Sequence, residues 1–163
     1  YNTTSNMFQF SDGANWMIFS KPMFAQFSGN AAQSFSTVGT KINFPTTNIN
    51  IASGSSSISI ASNNTITLPA GRIYKATLNM AWMNGTWGRF AIYNSSSNTM
   101  ISTTAHLENG STNFSGSGIA TTFIDATAGS VNIDCRYVGG TSVTLGDPVN
   151  GTNYPTIIIE TVK

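Results

Sequence analysis

A chain of 163 residues with 40% hydrophobic content has the length and the apolar supply for one domain with a core of its own. Only 8% of the residues are charged, against about 25% in ordinary globular proteins, and the seven Lys and Arg behind the net charge of +1 are scattered from Lys21 to Lys163. Electrostatic binding to nucleic acid or to an acidic membrane surface is unsupported on that basis, and no apolar run approaches the length of a membrane-spanning helix. Ser, Thr and Asn make up 61 of the 163 residues, so hydroxyls and amides rather than charges must keep the surface wet.

In chain order, residues 1–21 carry Phe8, Phe10, Trp16, Ile18 and Phe19 ahead of Lys21-Pro22 and read as an extra N-terminal strand or the end of a stalk. The start at Tyr1 rather than Met reads as a processed or excised fragment. The compact domain is expected over 22–163. Within it no stretch sustains a helical apolar period. Strand-like runs recur at 23–27, 40–44, 48–51, 57–60, 65–68, 72–83, 88–93, 100–106, 113–125, 130–138 and 154–162. Turn chemistry separates them at Pro69-Ala70-Gly71, Asn84-Gly85, Asn109-Gly110 and Gly139-Gly140. Short strands at such regular spacing predict an all-β sandwich or barrel.

The clearest alternation spans 65–83. Ile66, Leu68, Tyr74, Ala76, Leu78, Met80 and Trp82 fall on one parity, and Ile73, Lys75, Thr77, Asn79, Ala81 and Met83 on the other. If the last six strands run alternately up and down, the connections 84–88, 106–113 and 146–153 share one end of the domain. The connections 94–99 and 126–129 then share the opposite end.

Several residues resemble those of the trimeric jelly-roll heads of the tumour necrosis factor superfamily and the complement globular-head family. They are the early strand Phe24-Ala25-Gln26-Phe27-Ser28, the later Lys41-Ile42-Asn43-Phe44, the Pro69-Ala70-Gly71 turn before the aromatic Tyr74, and the C-terminal strand. The intrusion of Ala70 and the placing of Ala76 where a second aromatic belongs depart from that pattern. The low charge and the Ser/Thr/Asn-rich surface are more similar to the versions on phage spikes and tail fibres.

The resemblance implies an all-β jelly roll of about ten antiparallel strands in two sheets, TNF-like and homotrimeric. It also implies that the inner sheet packs on the core with one face and on the threefold axis with the other. Ile73, Lys75, Thr77, Asn79 and Met83, with Ile157 and Ile159 of the triple-Ile run, are then the expected trimer interface. On the same reading the loops at 84–88, 106–113 and 146–153 are distal, and Asn84, Trp87, Arg89, His106 and Asp147 are the expected receptor contacts.

Catalytic chemistry finds little support in the residues. His106 is the single histidine, no GxSxG elbow is present, and the six carboxylates are spread along the chain without a pair. Some complement-type heads hold calcium near the apex, where Glu108 and Asp147 would fall, but solvated turns account for both; no catalytic residue, metal or cofactor is expected. Cys135 stands among apolar odd positions and reads as a small buried hydrophobe. Seven N-x-S/T sequons occur, against about five expected by chance.

The expected function is a non-enzymatic head of a virion spike or tail fibre, acting in host-cell attachment and spike architecture at the virion surface. Its partners would be its own copies, a host-surface protein or glycan, and other spike or capsid proteins reached through a preceding region. Neither nucleic acid nor membrane insertion is expected. The alternatives are a carbohydrate-binding or carbohydrate-active β-sandwich and a purely structural trimerisation domain.

Overall fold

The computed structural model describes residues 8–11, 16–19, 22–53, 55–80, 83–108, 118–146 and 154–162. The described residues form strands and no helix. In chain order the strands are β1 (Phe8–Ser11), β2 (Trp16–Phe19), β3 (Phe24–Ser28), β4 (Gln33–Phe35), β5 (Thr46–Ile51), β6 (Ser59–Ile60), β7 (Ile66–Leu68) and β8 (Ile73–Met80). They continue with β9 (Met83–Asn84), β10 (Trp87–Asn94), β11 (Thr99–Met100), β12 (Ala105–Glu108), β13 (Gly118–Asp125), β14 (Val131–Gly140), β15 (Val143–Leu145) and β16 (Thr156–Thr161).

Two antiparallel sheets share one apolar core, as in a β-sandwich. One has the order β13-β8-β16-β3-β5. The other runs β11-β10-β14-β7-β6, with β12 and β11 following each other along the same edge of β10. Alternate residues from both sheets enter a single buried cluster that includes Phe27, Tyr74, Leu78, Phe90, Tyr137 and Ile157. A small sheet, β4-β15-β9, closes one end and adds Phe35, Val143 and Leu145 to that cluster. β1 and β2 pair with each other.

The alternation at 65–83 sets this arrangement. Tyr74, Ala76, Leu78 and Met80 are buried, while Ile73, Lys75, Thr77 and Asn79 stand on the outer side of the sheet; Trp82 lies outside the described residues. The Pro69-Ala70-Gly71 turn carries the chain from β7 in one sheet to β8 in the other. Gly71 takes φ 84° there, a conformation open to glycine at little cost. The turn is pinned by Gly71 N–H donating to the Ala126 carbonyl at 2.8 Å and by the Tyr74 hydroxyl donating to the Pro69 carbonyl at 2.9 Å.

Three expected strands differ. The run at 40–44 buries Ile42 and Phe44 as its alternation predicts, but its pairing with β14 is confined to the stretch around the Lys41–Arg136 bridge, where Tyr137 N–H donates to the Thr40 carbonyl at 3.0 Å and Ile42 N–H to the Cys135 carbonyl at 2.8 Å. The run at 100–106 is two short strands, because around 101–104 the Ser102 hydroxyl takes the bond from Ile92 N–H, at 2.9 Å, that a backbone carbonyl would otherwise accept. Of the long run at 72–83 the described strand is Ile73–Met80, residues 81–82 lie outside the described residues, and Met83 belongs to the small sheet, opposite Leu145.

Candidate functional site

Strand registers fix which loops share an end. Trp87 stands opposite Glu108, Gly88 opposite Gly140, Met80 opposite Gly118, and Asn79 opposite Thr156. The connections that follow β9, β12 and β14 therefore leave from the same end. Trp87, Arg89 and His106 meet there on the outer side of the six-stranded sheet.

The cluster is a square on two paired strands. Trp87 and Arg89 alternate on β10, and Glu108 and His106 face them from β12 in the pairs Trp87–Glu108 and Arg89–His106. Across one diagonal the Trp87 and His106 rings meet edge to face, with centroids 6.2 Å apart. The Arg89 guanidinium carbon lies 5.2 Å from the centroid of the Trp87 ring, within cation–π reach. Arg89, His106 and Glu108 are exposed and Trp87 is half-buried.

The backbone beneath Trp87 is held firmly. The Thr141 hydroxyl accepts from the N–H groups of Thr86 and Trp87 at 3.3 Å each and donates to the Trp87 carbonyl at 3.2 Å. The Tyr137 hydroxyl donates to the Thr141 carbonyl at 2.8 Å. Gly140 passes so close that a Cβ there would lie 2.4 Å from the Trp87 carbonyl oxygen, which only glycine permits.

Farther along the same sheet face, Asp134 is fully buried although its side chain points away from the core. Burial by itself raises its pKa. Hydrogen bonds from Arg136, Lys41 and Ser95 outweigh that and hold the carboxyl below its ordinary value. Arg136 grips it with a two-pronged contact at 2.5 and 2.9 Å, Lys41 lies at 2.9 Å and the Ser95 hydroxyl at 2.8 Å. The Arg136 guanidinium also covers the Tyr93 ring at 4.5 Å and reaches the Asn98 side-chain oxygen. Both oxygens of this carboxylate are engaged from within the chain, Oδ1 by Arg136 and Oδ2 by Arg136, Lys41 and Ser95, so the network is structural. Cys135, next in sequence, is a buried free thiol; burial and then the neighbouring Asp134 charge push its pKa up.

The other expected site residues are dispersed. Asn84 is exposed on β9, opposite Thr144, and Asp147 lies outside the described residues. Ile73, Lys75, Thr77 and Asn79 share the outer face of the five-stranded sheet. Ile157 and Ile159 do not. They sit opposite Leu78 and Ala76, whose side chains point inward, so both isoleucines point inward as well and are fully buried within the one chain. Thr156, Ile158 and Glu160 take the outward positions of β16. Met83, in the small sheet, is likewise not on that face. Sequence reasoning missed Thr141 altogether and placed Glu108 in the right end for a different purpose.

A shallow groove beside β6 is lined by Asn43, Phe44, Pro45, Ile60, Ala61, Ser62 and Asn64, none of them titratable. Among the described residues no group of three or more His, Cys, Asp or Glu is placed to hold a metal ion. No protein-family model matches the chain, and neither does any curated protein.

Proposed function

We propose that this chain is a non-enzymatic head domain of a virion spike or tail fibre, a TNF-like jelly roll that assembles as a homotrimer and meets the host surface with its Trp87 end. The strand order supports the jelly-roll reading. The chain crosses repeatedly between the sheets, and β16 fills the middle of the five-stranded sheet beside β3, the first strand of that sheet. The expected location is the virion surface, with other spike or capsid proteins contacted through a preceding region.

The outer face of the five-stranded sheet is the observation that carries the trimer. Ile119 and Phe123 of β13 are 63% and 65% exposed, and Ile49 and Ile51 of β5 are 46% and 52% exposed. Ile158 lies between these edges. An apolar face of this extent marks a contact surface, and copies of the same chain are the natural occupant because closed rings of identical subunits cover such faces symmetrically. Three identical host-binding ends on one rigid head then gain avidity once the first is engaged.

Light scattering tests the assembly: the expected particle has three times the chain mass of 17.3 kDa, and a monomer at micromolar concentration overturns it. Attachment is tested by adding soluble head to host cells with intact particles. Displacement of particles is expected, and its absence at saturating head concentration leaves a purely structural trimerisation domain. A carbohydrate-binding module is the second reading, favoured by the Trp87, Arg89 and His106 square.

A further inference from the structure

We infer that the square formed by Trp87, Arg89, His106 and Glu108 is a binding site for a carboxylate-bearing sugar. The inference rests on the attachment reading and gives its end of the molecule a ligand class. Three cations stand on the outer face of the six-stranded sheet, and two of them, Lys41 and Arg136, are consumed by Asp134. Arg89 forms no ion pair among the described residues; its guanidinium reaches only across the Trp87 ring.

An exposed guanidinium fork takes a carboxylate through two parallel N–H donors. Arg89 lies over the half-buried indole, and as the guanidinium turns to the carboxylate it uncovers that apolar ring for the C–H face of a pyranose. Glu108, across the strand pair from Trp87, accepts from sugar hydroxyls, and His106 closes the remaining corner. One acidic sugar residue spans these groups. The Thr141 clamp and the close passage of Gly140 hold the Trp87 backbone in place before any ligand arrives, so little ordering cost falls on binding.

A protein partner fits this spot less well. Protein hot spots sit inside a rim that excludes water, and no exposed large apolar residue lies on β10 or β12. The apolar exposure of the chain is instead found chiefly on β5 and β13.

The test is titration of the assembled protein with trigalacturonate and with 3′-sialyllactose, following the Trp87 indole N–H by NMR. Lactose and a short Asp-containing peptide are run alongside. The acidic sugars are expected to shift the Trp87 signal at millimolar concentration and to bind about tenfold more tightly than lactose. Arg89→Gln should remove that tenfold difference, and Arg89→Lys should restore part of it. Trp87→Ala should weaken every sugar. Melting curves of the variants check folding, and Arg89 is exposed enough for its replacement to leave the fold intact.

No shift with either acidic sugar, equal binding of lactose, or equal binding of the peptide overturns the inference. If the sugars fail while the soluble head still displaces particles from host cells, the ligand class is wrong and the attachment reading stands. If the sugars bind with the predicted Arg89 dependence and displacement fails, the site stands and the attachment reading falls.

Discussion

The two large sheets bury their inner faces in one core but finish their outer faces in opposite ways. Around Asp134 the outward side chains of the six-stranded sheet satisfy one another: Asp134 is closed over by Lys41, Arg136 and Ser95, and Thr67 bonds Asn132 across the strands at 2.9 Å. On the five-stranded sheet the only ion pair among the described residues, Lys75–Glu160 at 3.1 Å, has side chains 38% and 42% exposed. Isoleucines and a phenylalanine surround it without cover. An exposed pair of that kind is worth at most about 1 kcal/mol. The contrast separates a patch whose polar groups are answered within the chain from a face whose apolar side chains stand uncovered in it.

The strongest challenge to this contrast is a charge on the incomplete face. Ile158→Glu combined with Phe123→Glu should leave the chain folded yet monomeric at micromolar concentration, read by light scattering and circular dichroism; a surviving trimer would place the contact elsewhere. On the complete face, Asp134→Asn should cost about 3 kcal/mol in urea unfolding at neutral pH, because Arg136 and Lys41 lose their shared counter-charge in a largely buried setting. Acid sharpens the same point. A carboxyl held below its ordinary pKa adds stability that is full above the unfolded value, near 4. That stability disappears as pH falls through the lower folded value, so parent and Asp134→Asn should converge at low pH. Divergence in acid would mean that the network is not ionic. The smallest effect is Thr67→Val, which removes one hydrogen bond to Asn132 and should cost about 1 kcal/mol with no change in mass.

Much of the fold was legible because period-two alternation reports which side of a sheet a residue occupies. Tyr74, Ala76, Leu78 and Met80 were readable in this way, and so were Ile133, Cys135 and Tyr137 on β14. Burial does not guarantee a full ladder, however. Ile42 and Phe44 alternate like a strand and enter the core like one, but the bonds of their run to β14 are those around Lys41, and farther along the same edge β14 pairs with β7.

The triple-Ile run shows the complementary limit. The run itself carries no polar residue; Thr156 and Glu160 at its ends mark the outward parity, and the registers with β3 and β8, far away in sequence, fix it. β4 and β15 have three residues each, too few for a pattern to stand out. In the candidate site, Trp87, Arg89 and His106 were found by counting strand directions. Thr141 was not, because its role depends on Gly140 folding back beneath Trp87.

β3 enters its sheet at the end opposite Trp87, where Met23 N–H donates to the Thr161 hydroxyl at 2.9 Å and Thr161 N–H to the Met23 carbonyl at 3.0 Å. β16 flanks it on one side and β5 on the other. A pull on the chain at Met23, with the Trp87 end held fast, runs parallel to the strands. The ladder bonds on both sides of β3 then bear the load together in shear instead of opening one after another. The domain is thus built to carry tension along the line from its point of entry to its proposed point of contact.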